Sequence, residues 1–161
     1  MNITASQLVT RYGGKEIADV AVPAELAPLT GSQMEAAAAG EDLVDWADDL
    51  RESAEQALAR IVAAAERAAT ELAFYLRHRA ADAAPPPWLA DDVQELARYH
   101  LYDRAGREDS TVRLRYQDVI KRLEALLKED VAAGNGEGVT GGSVRVQSKR
   151  RLFTRDTLRN L

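Results

Sequence analysis

The chain has 161 residues, with 21 basic and 26 acidic side chains, a net charge of −5 and no cysteine. A chain of this length buries roughly 70% of the surface that its unfolded form exposes, so its core needs no metal or disulfide. The lack of cysteine excludes disulfides, thiolate nucleophiles and cysteine-based zinc sites. The opening residues lack a signal-peptide pattern, and no run approaches the ~18 apolar residues of a membrane span. We therefore expect a soluble protein that stays in the cytoplasm in which it is made.

The charges are distributed unevenly along the chain. Residues 134–161 contain six basic and two acidic side chains, which leaves 15 basic and 24 acidic ones for the other 133 residues. The net charges of these two parts are therefore +4 and −9. A basic tail on an acidic body favours docking of the tail on an acidic surface, including that of a second copy of the chain. The alternative interpretation is a tail that is only solvated.

The first quarter of the chain predicts short helices separated by breaks. Thr4 and Gln7 have the spacing of a capping box, and the glycine pair at Gly13 ends the helix that they begin. A second short element is expected over residues 15–20. Residues 23–42 contain two prolines and two glycines, so we expect a loop with a marginal helical turn there.

The strongest helix signal runs from about residue 43 to residue 79. A helix of this length would extend ~55 Å at 1.5 Å per residue, which is more than one small core can cover. We therefore expect part of its apolar stripe to meet another subunit. The stripe has apolar residues at spacings of three and four: Leu50, Ala54, Ala57, Ile61, Ala65, Ala68, Leu72 and Tyr75.

Two further helices are predicted after a break at three consecutive prolines, over residues 88–101 and from Ser110 to about residue 133, with residues 103–109 as a loop. The predicted fold is all-α, a small bundle of about four helices with one long helix, followed by a flexible extended C-terminal tail. We divide the chain into a helical domain over residues 1–133, a Gly-rich linker over 134–143 and an extended basic tail over 144–161.

No group of residues predicts catalysis or cofactor binding. The two histidines, His78 and His100, lack a third ligand for zinc, and the glycines of the linker lack the Gly-Lys-Ser/Thr ending of a phosphate loop. A run of carboxylates on one helix is more often a solvated face than an acid–base pair. We therefore expect that the protein is not an enzyme and that it binds no metal and no cofactor. The carboxylates are Asp45, Asp48, Asp49 and Glu52.

Contact roles are predicted for two sets of side chains. Four aromatic residues on the later helices are expected to be core or interface anchors: Trp88, Tyr99, Tyr102 and Tyr116. Four residues of the tail are expected to contact a partner: Arg151, Phe153, Arg155 and Leu158. A second class of function remains open, a small helical nucleic-acid-binding subunit for packaging or regulation, because the basic tail can contact phosphates without reading sequence.

Four stretches resemble, in the same order, the landmarks of one family. Residues 4–13 form a short helix that ends in an Arg-aromatic-Gly turn, and residues 96–103 contain an Ala-x-Tyr-x-Leu-Tyr pattern. Residues 112–118 contain an Arg-Tyr pair that begins a long helix, and residues 151–159 contain Phe-Thr-Arg-Asp followed by Leu-Arg. The chain thereby resembles the Mu-type phage head–tail connector family, the Gp36-like virion proteins of tailed phages and prophages. Residues 24–55 depart from the pattern, being longer and more acidic.

The resemblance implies a structural connector. Its expected partners are other copies of the chain in a ring of about twelve subunits, the portal protein, and tail or stopper proteins. Genome DNA would pass through this ring without specific binding, past a channel that Asp45, Asp48, Asp49 and Glu52 could line. The expected location is the neck of the virion, after assembly in the host cytoplasm, with no membrane contact.

Overall fold

The computed structural model describes residues 3–102 and 110–134. Within these ranges the chain forms six α-helices and no strand, which confirms the all-α prediction. Apart from Gly134, the predicted linker, the tail and the 103–109 loop lie outside the described residues. None of the described helices is long and apolar enough to cross a membrane. The helices are α1 (Ala5–Tyr12), α2 (Gly14–Ala21), α3 (Gly31–Ala39), α4 (Asp48–Leu76), α5 (Leu89–Leu101) and α6 (Thr111–Ala132).

The N-terminal helices begin and end where their capping residues require. Gln7 N donates to the Thr4 hydroxyl and Thr4 N donates to the Gln7 side chain, so the predicted capping box is present. Gly13, with a φ of 89°, ends α1 and separates it from α2. This positive φ is one that glycine adopts without steric cost.

The prediction of a loop with a marginal helical turn over residues 23–42 was wrong in its second half. α3 is a nine-residue helix with its own capping box, in which Thr30 and Gln33 exchange side-chain and backbone hydrogen bonds. Gly40 ends it in the left-handed conformation, with a φ of 80°. Its Met34 and Ala37 are buried against the other helices, and this tertiary packing stabilises a segment with a weak sequence signal.

α4 is the central element, and its apolar stripe is buried within the chain. The helix has 29 residues and packs most extensively against α5, with further contacts to α2, α3 and α6. Six stripe residues are at most 7% exposed: Ala54, Ala57, Ile61, Ala65, Ala68 and Leu72. The remaining helices of the same chain cover these six residues, so contact with another subunit stays a prediction only for the half-buried ends of the stripe, Leu50 and Tyr75.

The core lies between two groups of helices. α4, α5 and α6 all contact one another, and α1, α2 and α3 pack together and against α4. Large apolar side chains from all six helices are buried there, and they include Leu8, Ile17, Met34, Ile61, Leu96 and Leu123. The predicted bundle of about four helices thus consists of three long helices and a cluster of three short ones.

α2 and α3 approach each other through two glycines. A methyl group at Gly14 would overlap the carbonyl oxygen of Gly31, and one at Gly31 would lie 2.9 Å from the backbone nitrogen of Lys15. Gly14 is buried, and it has a negative φ that other residues also adopt. Close backbone approach, and not an unusual conformation, is therefore what requires glycine here.

We expect Gly14→Ala to lower the free energy of unfolding by about 1–3 kcal/mol, because the added methyl group forces α2 and α3 apart. Urea denaturation followed by circular dichroism measures this loss. Thr10→Ala, at an exposed position of α1, is the control and should change stability by less than about 0.5 kcal/mol. Equal stability of the two variants would contradict the close contact.

Candidate functional site

α5 carries a charged side chain that connects it to the N-terminal helices. Arg98 Nε donates to Glu16 Oε1 at 2.7 Å, and the Tyr102 hydroxyl donates to the same oxygen at 2.8 Å. The guanidinium of Arg98 also lies 4.5 Å from the centre of the Tyr12 ring. Arg98 is only 9% exposed, so these contacts are largely shielded from water. This residue therefore fixes the position of α1 and α2 against α5.

A second buried charge lies one turn earlier on α5. Glu95 is 7% exposed, and its Oε1 atom lies 3.4 Å from Arg11 and 3.5 Å from Arg115. Its Oε2 atom lies 3.7 Å from Arg98. Burial and the charge of Glu95 raise the pKa of Tyr12 above its usual range. One carboxylate thus faces three guanidinium groups, from α1, α5 and α6.

The first turn of α5 holds α6 and α1 through ion pairs. Arg122 Nε and Nη2 donate to the two oxygens of Asp92 at 2.8 and 2.5 Å, a bidentate arrangement. Asp92 is 5% exposed, and its hydrogen bonds raise the pKa of Arg122. Arg11 forms an ion pair with the neighbouring Asp91. These carboxylates also lie in the first turn of α5, where the helix dipole favours negative charge.

His100 belongs to a separate polar group between α4, α5 and α6. Its Nε2 atom lies 2.7 Å from Glu71 Oε2, and the Tyr116 hydroxyl donates to Glu71 Oε1 at 2.6 Å. Burial and this hydrogen bond raise the pKa of Tyr116. The Tyr99 and Tyr116 rings stack with their centres 3.8 Å apart. In the described ranges, no three His, Asp or Glu side chains are grouped as a metal site.

The structure places the predicted anchors at the edges of the core. Trp88, Tyr99, Tyr102 and Tyr116 are all half-buried, and Trp88 and Tyr116 pack directly against buried apolar side chains. Their polar contacts are within the chain. Whether any of them also contacts a neighbouring subunit stays a prediction.

The predicted acidic residues share an exposed surface at the start of α4. Asp45 lies in the preceding turn, while Asp48 and Asp49 lie in the first helical turn and Glu52 in the next. All four are exposed, and Asp48 forms an ion pair with Arg51 one turn away. A channel-facing role for this surface stays a prediction. The predicted tail contacts, Arg151, Phe153, Arg155 and Leu158, lie outside the described residues.

Sequence reasoning missed a second surface, the outer face of α4. Val62 and Phe74 are 55% and 56% exposed there, although both are large and apolar. A shallow groove of about 530 Å³ borders this face and is lined by Glu66, Arg67 and His100 among others. The same spacing of three and four that marks the buried stripe also marks this face. We define the outer face of α4 as the exposed residues Glu55, Ala59, Val62, Ala63, Glu66, Arg67, Thr70, Ala73, Phe74 and Arg77.

One match to a family model identifies the family of the chain. The family model described as "Bacteriophage Mu, Gp36" matches residues 3–143. The chain belongs to this family. The match includes all of the described residues, and three of the stretches on which the resemblance rests meet at α5, through Tyr12, Arg98 and Arg115. No curated protein and no solved structure was found to match the chain.

We expect Arg98→Met in this Gp36 family member to lower the free energy of unfolding by about 2 kcal/mol. The substitution keeps the apolar stem but leaves Glu16 and Glu95 without their shared guanidinium, and hydrogen bonds to charged groups contribute about 1.5–3 kcal/mol. Chemical denaturation at neutral pH measures the loss.

Arg51→Met is the matched control, because Arg51 also pairs with a carboxylate on a helix but its partner Asp48 is exposed. An exposed ion pair contributes about 0–1 kcal/mol, so this variant should be close to the parent chain. A loss at Arg98 no larger than that at Arg51 would contradict the structural role of the cluster.

Proposed function

We propose that the chain is a structural head–tail connector of a tailed phage, an adaptor in the virion neck that forms a ring between the portal and the tail. The observation that carries the proposal is the family match across residues 3–143, in a chain whose family-like stretches meet in one buried charge cluster on α5. A connector needs a stable, well-packed body. This agrees with the described residues, whose buried charges pair with one another and hold helices together.

The charge distribution supports passage of DNA without tight binding. The part of the chain before residue 134 has a net charge of −9, and the start of α4 presents Asp45, Asp48, Asp49 and Glu52 to solvent. Carboxylates that line a channel repel phosphates, so the genome would move through the ring without adhering to it. In this proposal the start of α4 faces the channel.

The tail supports a role in fastening the assembly. It has basic side chains and apolar ones, and the body to which it is attached is acidic. A tail of this kind can dock on a neighbouring copy or on the portal, with Arg151, Phe153, Arg155 and Leu158 as the contacts. Portal, tail or stopper proteins and further copies of the chain are therefore the proposed partners, in a ring of about twelve subunits.

The second candidate function is nucleic-acid binding by the same tail, since its net charge of +4 would also attract phosphates. The two functions differ in their expected affinity for DNA. Fluorescence anisotropy with a labelled duplex at low and high salt should show little binding by a connector. Tight binding that weakens steeply with salt would favour the nucleic-acid-binding function.

We expect Arg151→Glu combined with Phe153→Ala to reduce the yield of joined particles at least about tenfold, because the variant tail loses its charge and its apolar contact. The measurement is electron microscopy of particles assembled with each variant, counting complete particles against separate heads and tails. Lys128→Glu with Leu114→Ala, at exposed positions of α6, is the matched control and should assemble normally. Normal assembly by the tail variant would contradict the fastening role.

A further inference from the structure

The outer face of α4 is exposed, partly apolar and polarised in charge. Val62 and Phe74 are more than half exposed, and the face also presents three alanines, Ala59, Ala63 and Ala73. Glu55 lies at the N-terminal end of this face, and Arg77 lies at the C-terminal end. Small side chains allow a second helix to approach within the 8–10 Å that is usual for packed helices.

The basic end of the face is held in position. The Arg77 guanidinium lies 4.0 Å from the centre of the Phe74 ring, and its Nη1 atom donates to the Phe74 carbonyl oxygen at 3.2 Å. The charge and the aromatic ring are therefore presented together. A complementary surface would need a carboxylate followed, along the helix, by small residues that accommodate the ring.

The outer face of α4 on a second copy has this order of side chains when the second helix runs in the opposite direction. We infer that the outer face of α4 pairs with the same face of a second copy of the chain, with the two helices antiparallel. In this arrangement Glu55 of each copy lies opposite Arg77 of the other, and Ala59 lies opposite Ala73. In this register the two Glu66 side chains meet at the two-fold axis, and Arg67 of each copy lies beside its own Glu66. Parallel pairing in register would place like charges opposite each other at both ends of the face as well, which is less favourable.

The dimer is weak, and no third chain can join it through the same surface. From Glu55 to Arg77 the face is about 33 Å long and about 10 Å wide, so pairing buries well below the ~1,200 Å² of a standard interface. The dimer therefore forms at high concentrations. Because both copies use the same surface, this contact cannot extend into a ring, whose subunits would meet through other surfaces. The inference is thus independent of the proposed function.

Charge reversal tests the pairing in the full chain. Analytical ultracentrifugation over a concentration series should show a monomer–dimer equilibrium for the parent chain. Glu55→Arg and Arg77→Glu should each weaken dimerisation at least tenfold, whereas an equimolar mixture of the two variants should restore it, since the heterodimer has both ion pairs. Glu25→Arg and Lys128→Glu are exposed charge-reversal controls that should leave it unchanged. A monomer at every concentration, or a mixture that fails to recover, would overturn the inference.

Cysteine crosslinking tests the orientation, because the chain has no cysteine of its own. Ala59→Cys mixed with Ala73→Cys should form a disulfide-linked dimer under mild oxidation, while either variant alone should form little. Efficient linkage within Ala59→Cys alone would indicate a parallel pair and overturn the inference. A portal pull-down with the same Glu55→Arg chain separates the two proposals. Binding of this chain to the portal tests the connector function and does not depend on the pairing.

Discussion

The buried guanidinium of Arg98 is the contact on which the arrangement of the helices depends. It joins α5 to the turn between α1 and α2 through Glu16 and the Tyr12 ring, and it shares Glu95 with arginines from α1 and α6. A buried charge is costly unless it is paired, so each partner helix must take up a defined position. The short N-terminal helices, which are too small to be stable alone, are held in place by this cluster and by the core.

The sequence predicted the elements whose signals are local. The capping box at Thr4, the helix-ending Gly13 and the two helices after the prolines were all expected from residue type and spacing. α3 was missed, although Thr30 and Gln33 repeat the capping-box spacing, because the surrounding prolines and glycines favoured a loop. Its stability comes from packing against α1 and α2, which no local pattern shows.

Alanine explains why the two faces of α4 were not distinguished. The buried stripe and the outer face both carry alanines and larger apolar residues at spacings of three and four, so hydrophobic periodicity alone cannot decide which face the chain covers. The polar cluster was equally hidden, since Glu16, Glu95 and Arg98 have the composition of an ordinary solvated surface. Only tertiary structure brings these residues within hydrogen-bond distance. Their contacts in the fold explain why the family-like motifs contain these residue types.

The connector function is tested most directly by the mass of the complex that the full chain forms with a purified portal ring. Native mass spectrometry of the mixture resolves how many copies of the chain bind to each portal. We expect one dominant species, a portal with a complete ring of copies, and few species with partial occupancy. No complex, or a distribution of independently bound single copies, would contradict it.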